Sequence, residues 1–214
     1  AKVRDIAVSN HGRHLVIALD DGRVVFVDTA SGRRLEFFGH LLNARKQGIP
    51  DGWAGVNSVD VSGNGRYVLS GGDDNQALFW DTKTGQILQR HQHKNRVHLV
   101  RLDEHHKRAF SASIQAESVV WDLASGQPVS RLKLKPREYV VSAVAFDASG
   151  QYIATGAPGR ELKLWRIPEG KLVQQWRVQT RGRGGAVVLA VGFSDHGTLW
   201  SIASSGYAQQ WKIP

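Results

Sequence analysis

One pattern recurs five times along this chain of 214 residues, and it constrains the possible folds more than any other feature. Each copy contains an apolar strand, a turn residue and a second strand, with apolar residues four and six positions before the turn residue. A two-residue interval places both apolar side chains on one face of a strand. The turn residues are Gly12, Gly65, His106, Gly150 and Gly197. The apolar pairs are Ile6 and Val8, Val59 and Val61, Val100 and Leu102, Val144 and Phe146, and Val191 and Phe193.

A large residue follows each turn at a nearly constant distance. Fifteen residues after the turn stand Val27, Trp80, Trp121 and Trp165, and Trp211 stands after fourteen. In the first four copies a second turn and another short strand come next, so a copy has four antiparallel strands, which we call a, b, c and d. The large residues lie 41 to 53 positions apart. A four-stranded repeat with a period in the forties predicts the blades of a β-propeller.

The second copy resembles a known repeat family most fully. Gly71-Gly72-Asp73-Asp74 precedes Phe79-Trp80-Asp81, with Gly39-His40 upstream, and this arrangement resembles the WD-repeat (β-transducin-type) family. The resemblance covers essentially the whole chain and implies an all-β propeller of four-stranded antiparallel blades. We expect blades at about 1–38, 39–90, 91–132, 133–177 and 178–214, the last without its outer strand. Because the family typically has seven blades, we expect a larger ring, completed by upstream chain or by another subunit.

The resemblance also implies a hydrogen-bonded set in each blade, made of a loop His, a strand-b Ser or Thr, a turn Asp and the strand-c Trp. A buried indole N–H without an acceptor costs about 1–3 kcal/mol, so these roles are structural and not catalytic. In the second copy the insertion displaces His40, and Gln115, Gly159 and Ser205 stand at the Asp position of later copies. The predicted structural residues are His40, Ser70, Asp74, Trp80, His93, Ser111, Trp121, Thr155, Trp165, Ser201 and Trp211.

Function is expected on the loops, because the strands form the scaffold. The d–a and b–c connections share one face, which the family calls its top. The four d–a connections, 39–54, 91–96, 133–138 and 177–185, together carry eight of the nine net positive charges. We therefore predict a basic face that binds a protein partner, possibly an acidic segment. The candidate partner-binding residues are Arg45, Lys46, Trp53, Lys94, Lys135, Arg137, Arg160, Arg181, Arg183 and Tyr207.

Several alternatives stay open for the same residues. The basic loops could bind a nucleic-acid backbone or an anionic surface, or could simply be solvated. One arginine–glycine segment, Arg181–Gly185, is typical of RNA-binding chains, although a single copy is a weak signal. Trp53 could instead pack the insertion onto its own blade.

Other functional classes find little support in the sequence. There is no GxxxxGK[ST] or GxSxG motif, so we predict neither an enzyme nor a cofactor. His91 and His93 would point the same way on a strand, as two metal ligands do, but no carboxylate or Cys completes a set by spacing, and His98, His105 and His106 add none. We therefore predict no metal. No apolar run approaches the ~18–20 residues that span a bilayer, and the compartment stays open.

Overall fold

The fold is all-β, as the sequence predicts. A computed structural model describes residues 1–115, 117–134, 140–180, 184–194 and 197–213. These residues form five antiparallel sheets: four with four strands and one with three. The chain divides into two compact units, Ala1–Glu117 with Trp121–Pro128, and Ser118–Val120 with Val129–Pro214.

Each sheet is built from consecutive strands that pair with their neighbours in the chain. The first sheet contains β1 (Val3–Val8), β2 (His14–Leu19), β3 (Val24–Asp28) and β4 (Arg34–Phe37). The second contains β5 (Val56–Val61), β6 (Tyr67–Gly72), β7 (Gln76–Asp81) and β8 (Ile87–Gln92). The third contains β9 (Val97–Asp103), β10 (Arg108–Ser113), β11 (Ser118–Asp122) and β12 (Pro128–Arg131). The fourth contains β13 (Ala143–Phe146), β14 (Tyr152–Gly156), β15 (Glu161–Arg166) and β16 (Lys171–Arg177), and the fifth β17 (Val188–Phe193), β18 (Leu199–Ala203) and β19 (Ala208–Trp211).

The turns between the first two strands of the sheets explain the recurring glycines. Gly12, Gly65 and Gly150 have φ values of 70°, 73° and 65°, a conformation that a residue without Cβ adopts without strain. In the third sheet the prediction of His106 is wrong by one residue, because Lys107 takes the positive φ of 52°. Strand β9 runs on to Asp103, which pairs with Arg108.

In the first unit, the first and second sheets share a core. Val16, Val24 and Phe26 pack in one cluster with Val59 and other buried side chains of the second sheet, Trp80 included. Val59 and Val61 of the repeated apolar pair are buried here, whereas Ile6 and Val8 of the first sheet are exposed. The apolar pair thus lies on a buried face in the second sheet and on an open face in the first.

In the second unit, the fourth and fifth sheets form their own core. Ala154, Leu162 and Leu164 of the fourth sheet pack in one cluster with Leu199 of the fifth, and Trp211 lies against this cluster. Successive side chains of β18 point to opposite faces of the sheet. Leu199 and Ser201 are buried, so Trp200 and Ile202 lie on the exposed face.

The insertion before the second sheet is helical, where the sequence suggested a loop. Gly39–Lys46 forms helix α1, and a single 3-10 turn follows at Asp51–Trp53. Among the described residues, no helix has the length and apolar composition that crossing a membrane requires.

Candidate partner-binding site

A buried hydrogen-bonded set lies beneath helix α1. The Nδ1 atom of His40 lies 2.8 Å from Oδ1 of Asp74, and its Nε2 atom lies 2.8 Å from Oγ of Ser70. The indole N–H of Trp80 donates to the same Ser70 hydroxyl at 2.8 Å. The expectation that the insertion displaces His40 is wrong. Helix α1 begins at Gly39, so His40 lies in its first turn and reaches the hydrogen-bonded set.

Two further side chains of the insertion tie helix α1 to the β6–β7 turn. Asn43 donates to Oδ2 of Asp74 at 2.8 Å, and Gln47 donates to the Asp74 backbone carbonyl at 3.1 Å. These residues and His40 are spaced i, i+3 and i+7, so they share one helical face. Sequence reasoning missed Asn43 and Gln47, and this spacing was the signal that could have found them. Helix α1 is therefore held against the second sheet by the carboxylate and the backbone carbonyl of one residue, Asp74.

The outer side of the insertion presents apolar and basic groups to solvent. Trp53 is 75% exposed and Leu42 is 54% exposed. The alternative in which Trp53 packs onto its own sheet is therefore wrong. Arg45 forms a two-pronged ion pair with Asp51, with distances of 2.9 and 2.6 Å. This hydrogen-bonded pair holds the pKa of Asp51 below its usual range, and it neutralises much of the Arg45 charge. Lys46 is exposed and makes no ion pair within the described residues.

The second basic connection, 91–96, also contacts the turn between β6 and β7. The backbone N–H of His93 donates to the Asn75 carbonyl at 2.8 Å, and the Gln92 side chain donates to it at 3.2 Å. Lys94 follows directly and is exposed. The structure therefore brings Lys94 and helix α1 to one turn, Asp73–Gln76.

In the second unit, the connection after β16 meets the turns of the fourth and fifth sheets. The Arg160 side chain donates to the Val178 carbonyl at 2.8 Å and is half-buried. In the fifth sheet, the Ser205 hydroxyl donates to the Gln179 carbonyl at 2.9 Å, and Tyr207, nearby in the same turn, is half-buried. Four of the other predicted partner-binding residues, Lys135, Arg137, Arg181 and Arg183, lie outside the described residues.

The third sheet repeats the hydrogen-bonded set with one substitution. Nε2 of His93 lies 2.7 Å from Oγ of Ser111, to which the Trp121 indole donates at 3.1 Å. The carboxylate that faces Nδ1 of His93 belongs to Glu117, at 3.5 Å, and Gln115 plays no such part. Sequence reasoning missed Glu117, although it is the only acidic residue between Ser111 and Trp121.

Within the described ranges, the fourth and fifth sheets keep only the pair of indole and hydroxyl. Trp165 donates to Thr155 and Trp211 donates to Ser201, each at 2.8 Å. The same ten-residue separation joins donor and acceptor in all four such sheets. It arises because strands b and c are neighbours in an antiparallel hairpin of constant length.

Comparison with known proteins supports the resemblance that the repeats suggest. The family model described as "WD domain, G-beta repeat" matches residues 46–81 and 126–166. Two segments of the chain therefore match WD repeats. Cilia- and flagella-associated protein 52 of Mus musculus is 20% identical over 77% of this chain and 25% of its own length. The small ribosomal subunit protein RACK1 of Drosophila melanogaster is 25% identical over 74% of this chain and 48% of its own length. The chain thus spans half or less of the length of these relatives.

Proposed function

We propose that this chain is a non-catalytic scaffold that binds a protein partner through its d–a and b–c loops. Proteins built from WD repeats generally act as protein-interaction scaffolds. The proposed partner-binding residues are Arg45, Lys46, Trp53, Lys94, Lys135, Arg137, Arg160, Arg181, Arg183 and Tyr207.

The observation that carries this proposal is Trp53, which is 75% exposed on an anchored insertion. Trp is enriched among the residues that dominate binding energy at protein interfaces, because it offers a large rigid surface. Leu42, 54% exposed on helix α1, adds apolar surface within the same insertion. Hydrogen bonds from Asn43 and Gln47 to Asp74 hold the helix in place, so little ordering is needed on binding.

The charges near this insertion favour an acidic partner. Lys46 and Lys94 are exposed, and the connections that carry them meet at one turn. Complementary charge speeds encounter and selects partners more than it adds affinity. The proposed partner is therefore a protein segment that combines acidic side chains with apolar ones.

The test uses a fluorescein-labelled peptide of alternating glutamate and leucine, with anisotropy recorded at low and at physiological salt. We expect binding that weakens with salt and that falls by about tenfold or more in Trp53→Ala, the cost of one interface anchor. The matched control is Trp200→Ala, an exposed Trp on a sheet face, for which we expect unchanged binding.

A parallel titration with oligo(dT) separates the second class of partner. A nucleic-acid surface predicts steep salt dependence with little effect of Trp53→Ala, because stacking on one Trp contributes less than the phosphate contacts. That outcome, or the absence of salt-sensitive binding to either probe, would contradict the protein-scaffold proposal.

A further inference from the structure

The imidazole–carboxylate pairs of the second and third sheets differ in their separation. In the second sheet His40 and Asp74 approach to 2.8 Å, a normal hydrogen bond. In the third sheet His93 and Glu117 are 3.5 Å apart. Hydrogen bonds between nitrogen and oxygen are usually no longer than about 3.2 Å. The pair in the third sheet is therefore spaced too widely for a good hydrogen bond.

A second imidazole lies beside this wider pair. One ligand-type atom from each of His91, His93 and Glu117 lies within 4.8 Å of the others. His91 stacks on Trp121 with ring centroids 5.6 Å apart and meets His93 edge-on at 4.9 Å. Both imidazoles are buried, His91 with 7% and His93 with 3% of its surface exposed. The aromatic packing fixes the position of His91 in this cluster.

The spacing suits a cation better than it suits a hydrogen bond. Tetrahedral zinc holds nitrogen and oxygen ligands at about 2.1 Å, which puts the ligand atoms about 3.4 Å from each other. The separation of 3.5 Å between His93 and Glu117 agrees with that value.

The surrounding groups also resemble those around a metal ligand. Ligating imidazoles usually donate their second N–H to an oxygen that fixes the ring orientation. Here Ser111 Oγ lies 2.7 Å from Nε2 of His93, so it can accept that proton and leave the Nδ1 lone pair facing Glu117.

We propose that His91, His93 and Glu117 bind a divalent transition-metal cation of the Zn²⁺ class, with water in the remaining position. Two imidazoles and one carboxylate are a ligand set that such cations accept in proteins. The cation would join β8 of the second sheet to the β10–β11 turn of the third.

Zinc affinity of the full chain tests this site directly. After treatment with EDTA, calorimetric titration should show one Zn²⁺ per chain, and Co²⁺ should give the visible absorption bands of a tetrahedral site. His91→Phe keeps the ring that stacks on Trp121, and Glu117→Gln keeps the shape of the carboxylate. Each should weaken zinc binding by about 100-fold or more, because each removes a ligand. The control, His105→Gln, alters an exposed His in a different turn and should bind zinc like the wild type.

Three results would overturn the proposal: no zinc bound by the wild type, unchanged zinc affinity in both ligand variants, or an equal loss in His105→Gln. Circular dichroism confirms that each variant is folded, and if His91→Phe does not fold, Glu117→Gln decides alone. If these residues only form structural hydrogen bonds, each variant would lower the unfolding temperature of the metal-free chain without changing its zinc affinity. The two roles therefore give different readouts.

Discussion

The carboxylate of Asp74 lies where helix α1 meets the second sheet. One oxygen faces Nδ1 of His40 and the other accepts the Asn43 amide, both at 2.8 Å. Both Asp74 and His40 are fully buried, so neither can replace these bonds with water. Ser70 extends the network to the Trp80 indole. A single side chain therefore connects the insertion to the centre of the sheet.

Asp74→Ala should destabilise the chain by about 2–4 kcal/mol, because the buried His40 and the half-buried Asn43 lose their shared partner. The midpoint of urea unfolding measures this loss. Asp51→Ala is the control: it breaks an exposed ion pair with Arg45, which solvent screens, so the stability should change little. Equal stability of Asp74→Ala and the wild type would show that the buried set is not structural.

At the scale of the element, the turns after the third strands of the first three sheets share one design. Asp28, Asp81 and Asp122 each accept, through the backbone carbonyl, the N–H of the glycine four residues later at 2.8 Å. Their carboxylates accept backbone N–H groups from within the same turn. The carboxylate thus replaces hydrogen bonds that water would otherwise supply to the turn.

These turns predict a loss of stability in acid. Hydrogen bonds from the Ser125 hydroxyl and N–H lower the pKa of Asp122, and the N–H of Ser31 does the same for Asp28. A lowered pKa means that the unfolded chain binds protons more readily. This contribution to stability is therefore complete above the ordinary aspartate pKa of about 3.9, and it is lost as the pH falls through the folded value.

Urea unfolding at pH 7 and pH 3 measures that loss. Asp122→Asn should show a smaller drop than the wild type, because asparagine keeps an acceptor in the turn but does not titrate. If the variant and the wild type lose equal stability, Asp122 does not contribute to the acid sensitivity.

At the scale of the whole molecule, binding of an anionic partner depends on where the charged side chains lie as well as on the net charge. The chain has a formal net charge of +9, which attracts any anion at low salt. Binding of a specific partner depends instead on basic side chains near the contact, because salt at ordinary concentration screens interactions between exposed charges beyond about 10 Å.

Two charge reversals with the same effect on net charge separate these cases. Lys46→Glu lies on the insertion, whereas Lys107→Glu lies in the turn between β9 and β10 and is also exposed. We expect Lys46→Glu to slow association with the acidic peptide and to reduce its salt dependence, and Lys107→Glu to have little effect. Stopped-flow fluorescence measures both rates, and equal slowing would mean that only net charge acts.

The repeated strands were predictable because each position is fixed by a short antiparallel hairpin. Trp165 and Thr155, for example, are paired by a separation that the last four copies share. Where a copy changes length, the prediction failed. The third sheet places its turn one residue later, at Lys107, and supplies its carboxylate from Glu117 instead of Gln115.

The insertion was less predictable because its sequence has no sibling within the chain. The sequence named His40 as a member of the buried set and Trp53 as a partner-binding residue, but 39–54, read as a loop, did not show how either residue is held. Its helix is specified by contacts with Asp74 that lie about 30 residues away in the sequence, and local patterns do not encode such contacts. The basic connections could be located by charge alone, but the groups that face each other across them could not.

The sharing of Asp74 between helix α1 and the second sheet restricts how this surface can evolve. A substitution that retunes α1 for a new partner also disturbs hydrogen bonds of the sheet, so its effects on recognition and on folding are not additive. Exposed positions such as Leu42 and Trp53 are exempt, because they make none of these bonds. Divergence in specificity should therefore concentrate on that outer side, while His40, Asn43 and Asp74 change only together.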